Sequence, residues 1–143
     1  MTLYKYTLCL GLLALAFAAT TGCGSGGPPQ EPKIAVKGKV TKGGTPITLN
    51  PQLAAAKAAR REVRFLREGA GASPSVSEMA FANADGTFEV KIPKGKYRIG
   101  VQHFENAPGD LLGNKFELRS TPIVREVAGD AELNIDLDKP QGP

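Results

Sequence analysis

The sequence predicts an all-β fold, a sandwich of seven short antiparallel strands with one short surface helix, preceded by a signal peptide. Three observations predict it. From Ile34 onward apolar residues recur at every second position, the period of a half-buried strand. Clusters of Gly, Pro, Asn and Asp interrupt these runs at the intervals expected of an antiparallel sandwich. The single segment of helical character, Asn50–Arg61, is short and alanine-rich.

The chain begins Met1–Thr7 with one cation, Lys5, and continues in an apolar run of 12 residues, Leu8–Ala19. A membrane-spanning helix needs about 20 such residues, so the run suits the central part of a signal peptide. The small residues Thr20, Thr21 and Gly22 then lead into Cys23. Such a segment enters a peptidase cleft in extended form, and the thiol can carry a diacylglycerol thioether.

Thr20-Thr21-Gly22-Cys23 resembles a lipobox, the recognition site of bacterial lipoprotein processing. Gly22 and Cys23 match the pattern, while Thr20 stands where an aliphatic residue is usual. The resemblance implies cleavage before Cys23, its acylation by chains such as palmitate, and a membrane attachment in the cell envelope, facing periplasm or cell surface. An ordinary secretory leader with an incidental cysteine is the alternative. The expected organisation is a signal peptide over 1–22, the lipidated Cys23 and a flexible tether over 23–33, the sandwich over 34–138 and a short tail over 139–143. Gly and Ser in the tether supply flexibility, and Pro28, Pro29 and Pro32 keep it extended and out of any sheet.

In the first strand Ile34, Val36 and Val40 alternate with Lys37, Lys39 and Thr41, and Lys42-Gly43-Gly44-Thr45-Pro46 turns the chain. Asn50 suits a helix N-cap and Pro51 the first helical position, so 50–61 reads as a short helix leaning on the sheet. Val63 and Phe65 alternate with Arg64 and Leu66 in the second strand, and Gly69–Pro74 is a loop by composition. Met79 and Phe81 mark the third strand. Asp85-Gly86 has the chemistry of a hairpin turn into the fourth, where Phe88, Val90 and Ile92 share one face and Glu89 and Lys91 the other. Pro93-Lys94-Gly95 turns again, and Tyr97, Ile99 and Val101 face inward with Arg98 and Gln102 outward. After a long loop, Gln102–Thr121, the segments Pro122–Val127 and Ala131–Leu137 read as a closing pair. Leu133, Ile135 and Leu137 alternate there with Glu132, Asn134 and Asp136.

The order of these motifs is similar to a carboxypeptidase regulatory-like, or transthyretin-like, domain. Val36-Lys37-Gly38-Lys39-Val40-Thr41 before the Gly-Gly-Thr-Pro turn looks like its opening. Ala84-Asp85-Gly86-Thr87-Phe88 and Pro93-Lys94-Gly95-Lys96-Tyr97-Arg98-Ile99 look like its central signatures. Ser120-Thr121-Pro122 and the Glu126-Val127-Ala128-Gly129 turn resemble the end of small lipoproteins of planctomycete-type genomes. The resemblance implies a prealbumin-like (Ig-like) sandwich acting as an accessory, structural or binding module. It carries no catalytic site, and a fold alone does not fix a function.

The composition narrows the chemistry. The formal charge is +4, with 18 Lys and Arg among 14 acids, and nothing concentrates it as nucleic-acid binding requires. With Cys9 and Cys23 both ahead of the sandwich, that domain has no cysteine for a disulfide, a metal or a nucleophile. His103 is the one histidine and reads as a rim residue at a strand end, with no second His or Cys to share a metal. The transthyretin-like hydrolases of purine breakdown rely on several histidines and a C-terminal segment that Asp138–Pro143 does not reproduce. Asn83-Ala84-Asp85-Gly86 resembles the middle of a calcium loop, but Phe81 and Ile92 occupy its first and twelfth positions, where oxygen ligands are required. No enzyme, cofactor or metal is therefore expected.

Two surface features stay open. Lys33, Lys37, Lys39 and Lys42 with Arg60, Arg61, Arg64 and Arg67 form either an anion-contacting stripe or a lysine-protected edge strand, and the edge strand is preferred. Phe104, Leu111, Leu112 and Phe116 in the long loop form either a binding surface, for an envelope protein or a cell-wall polysaccharide, or a flap that closes the core, and the flap is preferred. Sugar-binding sandwiches offer exposed aromatic platforms. Most of the aromatics here read as inward-facing on strands, and Phe104, in the loop after His103, is the exception.

Overall fold

The computed structural model describes residues 31–69, 77–106, 108–129 and 132–141. The expected signal peptide, Cys23, most of the expected tether and the greater part of the expected Gly69–Pro74 loop lie outside these residues. The chain is an all-β sandwich. Its elements are β1 (Lys33–Lys42), β2 (Thr45–Pro46), α1 (Pro51–Ala55), β3 (Ala59–Arg67), β4 (Ser77–Ala82), β5 (Thr87–Pro93), β6 (Gly95–Glu105), β7 (Val124–Val127) and β8 (Glu132–Asp136). They form two sheets of four strands, one containing β2, β1, β5 and β8, the other running β4-β3-β6-β7.

Alternation fixes which side of each sheet is buried. Val36 and Val40, Val63 and Phe65, Phe88, Val90 and Ile92, Tyr97, Ile99 and Val101, and Leu133 and Ile135 all lie in one core. Glu89, Lys91, Glu132 and Asn134 are exposed and Arg98 is half-buried, as the period-two reading expects. The Phe65 ring stands edge-on to Tyr97, with centroids 6.3 Å apart, and 6.0 Å from Phe88. Tyr97 lies near the start of β6, just after a sheet-crossing turn, and its hydroxyl donates to the Pro93 carbonyl at 2.8 Å. That bond pins the corner between β5 and β6.

The chain changes sheets more often than the turn chemistry suggests. Asp85-Gly86 does turn the chain, with Gly86 at φ +86°. However, β4 and β5 belong to different sheets, so the turn is an arch between layers and not a hairpin within one. The expected closing pair separates likewise, with β7 alongside β6 and β8 alongside β1. The β1–β8 pairing is parallel, and the Thr45–Pro46 turn residues form a two-residue strand against β1, giving eight strands among the described residues in place of the expected seven.

Strand β1 is not an edge. Lys37 and Lys39 have register partners in both β5 and β8, which places β1 between them. Its lysines therefore do not protect an open edge. Lys37 stands between Glu89 and Glu132 across the outer face, an opposite-charge arrangement that explains a lysine in a central strand. The proposed basic stripe also divides, since the lysines lie in the β1 sheet and the arginines in the other, with Arg61 fully buried.

The helix is shorter than 50–61. Asn50 caps it as expected, accepting from the backbone N–H of Gln52 at 3.0 Å and of Leu53 at 3.4 Å, and Pro51 opens it. It ends at Ala55, and Lys57 takes φ +56° just beyond. The alternation Ala59-Arg61-Val63-Phe65 then draws three predicted helical residues into β3, because pairing with β6 outweighs alanine's helix propensity.

A carboxylate ties the chain's last strand to its first turn. Asp136 accepts from the backbone N–H groups of Asp138 at 3.0 Å, Gly43 at 2.9 Å and Gly44 at 2.8 Å. The Asp138 N–H first, then those of Gly43 and Gly44, hold its pKa below the ordinary value. A carboxylate depressed in the folded state stabilises it above the unfolded pKa of about 4, and that contribution disappears as pH falls through the folded value. Asp136→Asn is thus expected to lower the melting temperature at pH 7, with the deficit shrinking as pH falls below the unfolded pKa of about 4. A deficit constant across that range would show that the charge is not what matters.

Candidate functional site

The long loop acts first on the backbone. Strand β7 pairs with β6 only from Gly95 to Arg98, which leaves the far half of that β6 edge without a strand. The loop supplies the missing partners: Ile99 N–H donates to the Ile123 carbonyl at 2.9 Å and Val101 N–H to that of Phe116 at 2.8 Å. His103 N–H donates to Asp110 Oδ1 at 2.8 Å, and the His103 carbonyl accepts from Leu111 N–H at 2.8 Å. An open edge would template pairing with another chain, and here it is covered. Leu112 and Phe116 pack against the core, so they close it, whereas Leu111 is 56% exposed. Gly100 makes this close approach possible, because a Cβ there would meet the Leu118 backbone N at 2.9 Å.

Phe104 is not in the loop, since β6 extends through Glu105. It faces the outside of its sheet, with the Arg60 guanidinium 4.5 Å above the ring. Beside it runs an ionic row along β3, with Glu62 accepting from Arg60 at 2.8 Å and from Arg64 at 2.7 Å. Burial opposes ionisation of Glu62, but the two arginine hydrogen bonds outweigh it and its pKa falls below the usual value. Phe81 and Met79 on β4 join this face at 57% and 45% exposure, while Ala80 and Ala82 turn inward. Phe81 is thus an exposed strand aromatic, where most of the aromatics are expected to face inward. Its signal was the pairing of Ala80 with Val63, a register that side-chain size conceals.

His103 is not at the rim. It is 7% exposed on the inward face, beside Arg61 across the β3–β6 pairing. Its Nε2 lies 3.0 Å from Glu105 Oε1, and the same oxygen accepts from Asn50 N–H at 3.2 Å. The Asn50 N–H first and His103 second hold the Glu105 pKa below the ordinary value. Arg61, at 0% exposed, donates through Nη1 to the Ile47 carbonyl. Burial depresses the pKa of its guanidinium, and the Glu105 carboxylate opposes that shift. Among the described residues no group of three His, Cys, Asp or Glu side chains is placed to hold a metal ion.

Comparison with known proteins yields the architecture alone. No family model matches the sequence, and no curated protein matches it. The crystal structure of a DUF3823 family protein from Parabacteroides merdae superposes with a TM-score of 0.50 at 20% identity, covering 73% of this chain. The match spans 45% of that protein's length, so it is a likeness of fold between one domain and part of a larger chain.

Proposed function

We propose that the chain is a lipid-anchored, non-catalytic protein of the bacterial cell envelope, whose sandwich is an accessory, structural or binding module of the carboxypeptidase regulatory-like kind. The observation that carries this reading is the placement of Cys23. It follows an apolar leader and precedes the first residue of β1, Lys33, by ten positions rich in Gly and Pro. Fully extended, such a spacer reaches roughly 35 Å, enough to hold the sandwich clear of a bilayer. Each buried acyl methylene contributes about 0.8 kcal/mol, and two or three chains on one cysteine make the attachment stable where one would not. The partners are the membrane, through the anchor, and an envelope protein or polysaccharide.

Cys23→Ala tests the reading. The variant is expected to lose fatty-acid labelling in cells and to move from the membrane to the soluble fraction. Equal labelling of variant and wild type would overturn it.

A second reading, a polysaccharide-binding module, draws support from the outer face of the β4-β3-β6 sheet. Phe81, Met79 and Phe104 stand there among Arg60 and Arg64, a combination suited to sugar faces and hydroxyls. The long loop itself offers little to a ligand, because Leu112 and Phe116 are turned against the core.

A further inference from the structure

The long loop covers the β6 edge, but two other strands end their sheets with one side open. Among the described residues β4 is paired with β3 alone and β5 with β1 alone. These two strands lie against each other across the sandwich, on the side where Lys33 reaches Glu78. No described backbone group outside the strands bonds to Met79, Phe81, Glu89 or Lys91. Such a row of unpaired peptide groups is a template for another strand.

The register decides which peptide groups these edges present. In an antiparallel ladder one residue turns its N–H and C=O to one neighbour, and the next residue to the other. Ile99, Val101 and His103 bond to the loop side, so Gly100 and Gln102 bond to Arg64 and Glu62 of β3. Val63 and Arg61 therefore bond to Ala80 and Ala82, and Met79 and Phe81 turn theirs to the open edge. In the other sheet Val40 bonds to Gly86 and Ile47, so Gly38 and Val36 bond to Phe88 and Val90. That leaves the peptide groups of Glu89 and Lys91 at the open edge. All four side chains stand exposed on the outer faces of their sheets.

We propose that these edges bind a second copy of this chain, antiparallel along β4 and β5, about a two-fold axis at the level of Ala80 and Val90. An axis normal to the sheets makes the contact self-complementary. Met79 then stands opposite the partner's Phe81, and Glu89 opposite the partner's Lys91, each opposed pair exchanging two backbone hydrogen bonds. Apolar meets apolar in one sheet and acid meets base in the other. A slip of two residues either way would set Lys91 against Lys91 or Glu89 against Glu89, so the charges select this register. The apolar pairs and the ladder hold the copies together, while the exposed ion pairs contribute little. The interface stands whether or not Cys23 is acylated.

Sedimentation equilibrium of the full chain in density-matched detergent micelles reads the mass per particle over a dilution series. The wild type is expected to pass from monomer to dimer as concentration rises. Lys91→Glu sets acid against acid and should weaken association roughly tenfold or more. Combining it with Glu89→Lys restores opposite pairs and should recover the wild-type association. Met79→Pro removes an N–H that β3 does not use, and should weaken association at least as far. Circular dichroism checks that each variant is folded, and if Met79→Pro is not, the charge series decides alone. A wild type that stays monomeric throughout would overturn the proposal. So would association that Lys91→Glu leaves unchanged, or that the charge exchange fails to recover.

Discussion

Phe88→Ala is expected to reduce the unfolding free energy by about 3–5 kcal/mol, a large share of what a domain of this size possesses. Phe88 is 3% exposed and its ring lies against Phe65, on the face that β5 shares with Val90 and Ile92. Removing the ring leaves a cavity between the sheets that neighbouring strands, paired on both layers, cannot collapse to fill. Lys91, one face over and exposed, is the internal control, and Lys91→Ala should cost roughly 0.5 kcal/mol or less. Urea titrations of the full chain in detergent, followed by far-ultraviolet circular dichroism, compare the two. Equal shifts would mean that the register of β5 against the core is wrong.

Gly38→Ala is expected to be as damaging, although it adds a single methyl group. Gly38 lies on the inward side of β1, directly between Phe88 of β5 and Leu133 of β8 in the pairing register. A Cβ there would collide with the Leu133 carbonyl oxygen and come within 2.5 Å of Phe88 Cζ. The carbonyl belongs to the parallel partner strand and cannot rotate away, so the sheet itself must shift. We expect a loss of about 3 kcal/mol or more. Adding Phe88→Leu should recover only part of it, because that exchange relieves the ring contact and leaves the carbonyl contact in place. Full recovery in the double variant would locate the whole clash in the ring.

The same two residues show which parts of the fold could be read from sequence. Phe88, Val90, Tyr97, Ile99, Leu133 and Ile135 announce their faces because polar neighbours alternate with them, and each is buried. Period two says nothing about which strand lies beside which. The lysines of β1 therefore resemble edge protection although the strand lies inside a sheet, where Lys37 is matched by Glu89 and Glu132 from strands distant in sequence. The Asp85-Gly86 turn specifies a reversal but not whether the chain stays in its layer, and the layer changes there. In β4 the larger apolar residues, Met79 and Phe81, point outward because pairing with β3 commits Ala80 and Ala82 to the core.

The candidate site was less legible for a related reason. Arg61 looked like the end of an alanine-rich helix, and only its place in the series Ala59, Arg61, Val63, Phe65 betrays an inward side chain. His103 reads as a rim residue because the strand appears to end at Val101. Pairing with Ala59–Glu62 of β3 carries β6 on to Glu105, and hydrogen bonds from the loop, which no periodicity encodes, cover the other edge at His103. Of the loop residues, Leu112 and Phe116 pack against the core and Leu111 stays exposed. Cys23 lies outside the described residues, and its proposed acylation rests on the sequence around it.

The proposed anchoring is tested most directly by the intact mass of the protein recovered from the cells that make it. We predict a polypeptide that begins at Cys23 and carries the added mass of a diacylglycerol, with a further fatty acyl group where the amino terminus is modified. A polypeptide that begins elsewhere, or one that begins at Cys23 without lipid mass, would contradict the account.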